Sequence, residues 1–420
     1  MELPRPVHQS ANRLRPVLGV VGANAGRNVV VRPHQHAVVR MGANAAANAR
    51  LGGRRGPSGT RKPAAKRSFG LYRISGGPIG TGANKAATSM TRSLPLAIAC
   101  GNYDRTRPLF DGRVLIEGCD PTFLPQPPEE IFFRAFVHEE FDVSELSLSS
   151  YTMRRSRGDC PYIGIPVFIS RTFRHSAVYV RTDRDIDRPE DLCGRLVGIP
   201  EYQQTAAVWV RGLLQDDYGV APRDLRWVSG GMEMPGRVEK VHFPLPAGVS
   251  LEAAPDGKTL SGMLEAGELD ALIAPRAPSC FTRGVPQVGR LFANFGADEE
   301  EYYRRTGIFP IMHIVGIKTA LAARHPWLPA SIYKAFSAAK DIAVAALSDP
   351  NALSVSLPSL TWNAEQAKAL MGKDFWPYGL DGNVQTLEVF LRYHFEQGLS
   401  PRRLTPSELF ASSTTSQWKI

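Results

Sequence analysis

Cysteine is scarce in this 420-residue chain, and the five present (Cys100, Cys119, Cys160, Cys193 and Cys280) form no CxxC pair. An odd, scattered set argues for reduced thiols and against both a disulfide framework and a structural zinc site. Long apolar runs are also missing. No stretch approaches the roughly 18–20 residues that span a bilayer, so no helical membrane segment is expected. An export signal is lacking too: its nearest candidate, Pro16–Ala23, is short and broken by glycine and proline. These absences lead to the expectation of a cytoplasmic protein.

Acidic residues are nearly absent from one part of the chain. Residues 1–92 carry 16 Lys/Arg and a single acid, Glu2, whereas the remaining 328 residues carry 34 Lys/Arg and 39 Asp/Glu. The net charge of +10 thus belongs to a tail, and the part able to fold is mildly acidic. No nucleic-acid footprint is expected there. The tail is rich in Ala, Gly, Asn and Arg, which bury too little apolar surface to offset ordering, so disorder is expected over 1–92. A basic interaction arm, an Arg-rich targeting sequence and an over-extended reading frame with its true start at Met90 all fit this composition.

From Leu94 onward, apolar runs alternate with helical patterns. Strands are expected at Leu94–Cys100, Phe141–Leu148, Tyr162–Phe168, Ser176–Val180, Arg195–Ile199, Leu225–Val228 and Ile311–Ile317, with helices from Pro128, over Ala206–Tyr218 and over Thr259–Ala266. Such alternation argues for an α/β architecture with mostly parallel sheets. Its 43% hydrophobic composition suffices for a sizeable core.

Ligands of open α/β sheets bind beyond the carboxyl ends of the strands. The loops there hold Tyr103, Arg105 and Arg107; Ser149 and Ser150; Arg174 and His175; Gln203, Gln204 and Thr205; and Arg276. Arginine grips a carboxylate in bidentate fashion, and a helix N-terminus following Gln203-Gln204-Thr205 also favours an anion. Each has a plainer explanation. Arg105 and Arg107 suit surface pairs with Asp104 and Asp111, Ser149-Ser150 and Gln203-Gln204-Thr205 suit helix caps, and His313, inside an apolar strand, suits a satisfied core histidine. Histidine transfers protons near neutral pH, which makes His175 and His313 candidate catalytic groups, with Arg105 taken as a third catalytic residue. No GxSxG, HExxH or P-loop occurs, and no His/Asp/Glu spacing suggests a metal site; no metal or other cofactor is expected.

Longer strings carry a resemblance. Leu94-Pro-Leu-Ala-Ile-Ala-Cys-Gly-Asn-Tyr-Asp-Arg, Glu140-Phe-Asp-Val-Ser-Glu-Leu-Ser-Leu-Ser-Ser-Tyr, Arg174-His-Ser-Ala-Val-Tyr-Val, Pro200-Glu-Tyr-Gln-Gln-Thr-Ala-Ala-Val-Trp and Tyr302-Tyr-Arg-Arg-Thr-Gly-Ile-Phe-Pro-Ile-Met-His resemble the 4,5-dihydroxyphthalate decarboxylase family, over about residues 93–405. This family is similar to the type II periplasmic binding proteins, which serve ABC transporters. The resemblance implies a clamshell: one α/β lobe of 93–178 plus 315–420, a second of 179–314, crossover strands between them (Ser176–Val180 and Ile311–Ile317) and the ligand in the cleft. It further implies loss of CO2 from 4,5-dihydroxyphthalate, or a similar hydroxylated aromatic acid, to give protocatechuate. The partner is then a small aromatic carboxylate, with no nucleic acid and no membrane, and a homo-oligomer is compatible. His175 or His313 would give the proton; Arg105, Arg107, Arg174 and Arg276 would hold carboxylates; Tyr103, Ser149, Gln204 and Thr205 would meet hydroxyls. A transporter's substrate-binding protein for a small aromatic or sulfonated anion is the alternative, since fold alone does not decide between them.

Overall fold

A computed structural model of the chain describes residues 93–237 and 243–415. The expectations of a disordered tail over 1–92 and of a start at Met90 fall outside the described residues. Two sheets organise the rest. The first has the order β2-β1-β3-β11-β4, from β1 (Leu94–Ala99), β2 (Cys119–Leu124), β3 (Val143–Ser147), β4 (Tyr162–Arg171) and β11 (Ile311–Lys318). The second has the order β10-β5-β9-β6-β7-β8, from β5 (Val178–Arg181), β6 (Leu196–Ile199), β7 (Arg226–Ser229), β8 (Ser250–Ala253), β9 (Ala271–Ile273) and β10 (Val288–Arg290).

Both sheets are mixed, where mostly parallel pairing was expected. In the first, β1 pairs in parallel with β2 and β3, while β11 runs antiparallel to β3 and β4. In the second, β6, β7, β8 and β9 pair in parallel, and β5 and β10 run antiparallel. The antiparallel members border the places where the chain changes sheet, because a strand that returns from the other sheet arrives in the opposite direction. The crossings lie beside the expected strands, at 172–177 between β4 and β5 and at 307–310 before β11. They are tied together where the Thr172 N–H donates to the Pro310 carbonyl at 3.1 Å.

Seven described helices have ten or more residues: α1 (Pro128–His138), α2 (Leu148–Arg157), α3 (Thr205–Tyr218), α4 (Phe295–Thr306), α5 (Leu328–Ala346), α6 (Leu360–Met371) and α7 (Val384–Glu396). Proline at the start of α1 needs no hydrogen-bond partner for the N–H it lacks, and Glu129 and Glu130 suit the positive helix end. The first ten residues of α3 are all buried. One flank faces the second sheet, and the other packs on α7 through Trp209 with Phe390 at 5.5 Å and Tyr393 at 5.8 Å. The Trp209 indole N–H donates to the Ile311 carbonyl at 2.9 Å, which anchors the same helix to β11.

Close helix–helix approach depends on Gly212, because a Cβ there would run into the Tyr393 ring. Alanine for glycine inside a helix gains about 1 kcal/mol of propensity, but overpacking a tight contact costs about 1–3 kcal/mol. A collision this close takes the upper end of that cost, so Gly212→Ala is expected to lower the unfolding free energy by up to about 2 kcal/mol in urea titrations. An unchanged or raised midpoint would show that Tyr393 moves aside freely.

Candidate active site

Antiparallel pairing of β3 with β11 builds the centre of the site. Val315 lies opposite Glu145 and His313 opposite Ser147. With a side-chain period of two, Glu145, Ser147 and His313 share one face, and diagonal neighbours on such a face are within reach of long side chains. His313 Nδ1 lies 2.7 Å from Glu145 Oε1. The Tyr103 hydroxyl donates to the same oxygen at 2.9 Å, and the Gly101 N–H donates to Oε2 at 2.8 Å.

The Glu145 side chain is fully buried, while that of His313 keeps 19% of its exposure. Burial alone raises the Glu145 carboxyl; the His313 hydrogen bond and charge, the Gly101 N–H and the Tyr103 hydroxyl reverse this and hold it below the ordinary value. Tyr103 is pushed up, first by burial and then by the Glu145 charge and hydrogen bond, so it remains a protonated donor. Gly101 is required here, since a Cβ would collide with the Tyr103 ring.

The pairing of β4 with β11 is irregular beside His313. Val315 aligns with Ile165 but His313 with Ser170, so β4 uses extra residues across the step. Bulges of this kind bend a strand and re-aim side chains next to functional sites. The freed carbonyls find partners: Ile169 accepts from Arg105 Nε at 2.6 Å and Phe168 from the Trp376 indole at 3.0 Å.

In front of His313 lies a cavity of about 220 Å³ walled by both sheets' elements. Tyr103, Phe132, Ser147, Ser150, Ser170, Met312 and His313 come from one side; Gln204, Thr205, Ala206, Pro275 and Arg276 come from the other, with Arg174 from the crossing segment. The Phe132 ring meets His313 edge-on at 4.8 Å. At the floor the two sides touch: the Thr205 hydroxyl accepts from the Ser149 N–H at 3.0 Å and lies 3.0 Å from the Ser147 hydroxyl. The N-termini of α2 and α3 therefore converge, and neither has a side-chain cap. Their first-turn N–H groups and dipoles favour an anion.

Cations line the opposite wall. Arg174 Nε contacts Met312 Sδ at 3.2 Å and its Nη1 lies 3.5 Å from the Pro275 carbonyl, but no carboxylate among the described residues pairs with it. Burial lowers this guanidinium to about 10, against the opposing charge of Glu299. Arg276 is exposed and has neither a hydrogen bond nor an ion pair among the described residues. Gln204 Oε1 is buried with no hydrogen-bond donor. A buried acceptor without a partner and a half-buried cation without an anion both call for a ligand carrying a hydroxyl and a carboxylate. Outside the cavity, a groove of about 880 Å³ leads to solvent past Phe133, Met232 and Met234. At its rim Arg237 joins Glu201 at 2.5 Å, with Glu129 of α1 3.8 Å away across the cleft.

Seven of the twelve residues singled out in the sequence meet at this cavity: Tyr103, Ser150, Arg174, Gln204, Thr205, Arg276 and His313. The other five do not line it. Arg105 is held behind the wall, its guanidinium between the Tyr103 ring at 4.4 Å and the Trp376 ring at 4.5 Å. Arg107 borders a separate groove with Asp104 and Ile342. Ser149 turns its hydroxyl to buried His394 at 3.1 Å, and Gln203 Oε1 accepts from Ser150 at 3.3 Å. His175 is packed edge-on against Phe292 at 5.1 Å and Tyr302 at 5.3 Å. Burial lowers it to about 4, so it stays neutral near pH 7.

Sequence reasoning passed over Glu145, although it is the one charged residue in the strand Val-Ser-Glu-Leu-Ser. That was the available signal, because a carboxylate inside a buried strand needs partners.

No protein-family model matches the chain. Among curated proteins, 4,5-dihydroxyphthalate decarboxylase of Comamonas testosteroni is 52% identical over 327 residues, covering 78% of this chain and 99% of the relative. The chain belongs to the 4,5-dihydroxyphthalate decarboxylase family. A decarboxylase of the same name from Pseudomonas putida is 54% identical over 211 residues, 50% of this chain and 82% of that protein. Among solved structures, the periplasmic aliphatic sulphonate binding protein SsuA of Escherichia coli covers 77% of this chain and 99% of its own at 11% identity and a TM-score of 0.44. The alkanesulfonate-binding SsuA of Xanthomonas axonopodis pv. citri, bound to MOPS, covers 76% of this chain and 98% of its own, at 11% identity with a TM-score of 0.41. Family membership favours the decarboxylase over the transport receptor. Among the described residues no three His, Cys, Asp or Glu gather as a metal site, and no helix is long and apolar enough to cross a membrane.

The bonds at the cavity floor make a separate expectation. Thr205→Val removes one hydroxyl and leaves the buried Ser149 N–H and Ser147 hydroxyl short of a partner, which costs about 1–3 kcal/mol. Thermal unfolding should show the loss, and stability equal to that of the parent chain would mean that water replaces the hydroxyl.

Proposed function

We propose that the cavity binds 4,5-dihydroxyphthalate and removes one carboxyl group, giving protocatechuate and CO2. The carrying observation is His313 in the cavity wall with Nδ1 held by a buried carboxylate. Loss of CO2 from an arene leaves an electron pair in the ring plane unless the ipso carbon is protonated first. Protonation interrupts aromaticity, and the para hydroxyl stabilises the resulting cation as it takes on carbonyl character. His313, as imidazolium, gives its Nε2 proton to the ipso carbon while Glu145 holds the other nitrogen. The C–C bond then breaks, its electron pair returns to the ring, and CO2 leaves. His313 is left neutral and regains a proton from solvent through the groove.

Arg174 and the first turns of α2 and α3 hold a carboxylate, Arg276 approaches from the mouth, and Gln204 Oε1 accepts a phenolic O–H. Enclosure of the reacting group favours its departure as neutral CO2. This assigns the acid to His313 rather than His175, and gives Arg105 a supporting place behind Tyr103. No step calls on a cofactor. A homo-oligomer is compatible with this site, and the substrate suits a cytoplasmic enzyme.

Incubating the full chain with 4,5-dihydroxyphthalate should release CO2 and protocatechuate in equal amounts; tight binding without turnover would sink the proposal. His313→Gln should lower kcat by about 10²-fold or more at nearly constant KM. Arg174→Met should raise KM by roughly 10-fold or more, as expected for a lost charged hydrogen bond. If His175→Ala abolished turnover while His313→Gln did not, the proton donor would pass to His175.

A further inference from the structure

The bonding around Glu145 raises a question that the reaction alone does not answer: what sets the proton affinity of the acid. One oxygen, Oε1, receives both His313 Nδ1 at 2.7 Å and the Tyr103 hydroxyl at 2.9 Å. The other oxygen is occupied by the Gly101 N–H at 2.8 Å. A carboxylate with no exposed surface cannot draw on water, so its charge is divided among these three donors. Whatever Tyr103 takes is withheld from His313.

We infer that Glu145 and Tyr103 act as an opposed pair of positioning residues: Glu145 fixes His313 with Nδ1 protonated and sustains its imidazolium form, and Tyr103 moderates that effect by competing for Oε1. This rests on the assignment of His313 as the proton donor. The geometry supports it on two further counts. Tyr103 is pinned by the Arg105 guanidinium over its ring, by its own backbone N–H donating to Thr106 Oγ1 at 2.8 Å, and by the missing Cβ of Gly101. Its ring also lines the cavity, so a ligand that displaced the hydroxyl from Glu145 would strengthen the hold on His313 at the moment of binding.

The charged and titratable groups facing His313 can be followed element by element. Glu145 comes from β3, Cys100 and Tyr103 from the end of β1 and its loop, Glu129 from α1, Arg174 from the crossing beside β4 and Arg276 from the loop after β9, with Glu201 in the cavity wall before α3. Cys100 and Tyr103 are pushed up by burial and by Glu145 and stay neutral. Arg174 shares the cavity wall with His313, and among the described residues Glu145 is the carboxylate bonded to that histidine.

The test uses the full chain labelled with 15N-histidine, with the His313 signals assigned by their loss in His313→Gln. In the parent protein Nδ1 should carry the proton at high pH. Glu145→Gln should move the His313 titration midpoint down by about 1–3 pH units, the span usual for removal of an adjacent opposite charge. Tyr103→Phe should move it up. The alkaline limb of kcat/KM should follow in the same directions, with KM for Glu145→Gln changing far less than kcat. A structural role alone would lower activity equally at every pH and leave the midpoint in place, which would overturn the inference. An unmoved midpoint in Tyr103→Phe would do so even if Glu145→Gln failed to fold. Because the titration needs no turnover, it can fail while decarboxylation stands, or hold while decarboxylation fails.

Discussion

A carboxylate removed from water in the middle of a sheet is the constraint on which the site depends. Left unpaired, the Glu145 charge would be strongly destabilising or would neutralise itself by taking up a proton. The fold keeps it ionised by bringing three donors to it, one from β11 and two from the loop after β1. That requirement accounts for Gly101, whose missing side chain makes room for Tyr103, for the β3–β11 register that sets His313 diagonally across, and for a ring edge from Phe132 that closes the remaining side. The sheet irregularity in β4 belongs to the same construction, since it occurs where β11 presents His313 and its freed carbonyls are used to hold Arg105 and Trp376.

Around this centre the cleft is electrically lopsided. Acid partners are saturated: Glu145 has three donors and Glu201 has Arg237. Cations facing the cavity are not, since Arg174 and Arg276 find no carboxylate among the described residues. In a part of the chain that is mildly acidic, residues 93–420, uncompensated positive charge thus gathers at this cavity. That charge arrives from elements of different lobes and from the segment joining them. An anion between them then ties the lobes together, a property as useful to a receptor as to an enzyme. In the proposed reaction the difference lies in the His313–Glu145 pair, because mere capture of an anion needs no buried acid beside it.

Much of the architecture was legible in the chain. The apolar run at Leu94, the βα unit ending in α3 and the strand around His313 announce themselves by periodicity, and the family strings cover both sheets. The three-residue β9 and the strands β2, β8 and β10 did not. Cys119-Asp-Pro-Thr-Phe-Leu, Ser250-Leu-Glu-Ala and Val288-Gly-Arg are edge strands, half exposed and interrupted by proline, glycine or charge, so their pattern is weak. Antiparallel pairing was equally hidden, since periodicity reports on burial and says nothing of strand direction. At the site, loop position correctly gathered residues near strand ends but could not orient them. His175 and Arg174 are neighbours in sequence, yet one side chain enters an aromatic pocket and the other the cavity. Glu145 escaped notice because a lone acid in a strand carries no motif of its own.

The double attachment of α3 has a mechanical consequence. One helix supplies its N-terminus to the cavity floor, its indole to the β11 backbone and its far flank to α7, with Gly212 and Tyr393 in close register. Such a helix behaves as a fulcrum: rotation of one lobe against the other would have to shear packed aromatic rings and a buried indole hydrogen bond at once. These contacts tie the floor to β11 and α7. At the rim, Arg237 is joined to buried Glu201 on one side of the opening and lies 3.8 Å from the more exposed Glu129 on the other, a longer contact that water and salt weaken first. The floor is thus fixed by packed rings and a buried backbone bond, whereas the mouth is crossed by the ion pairs of one side chain.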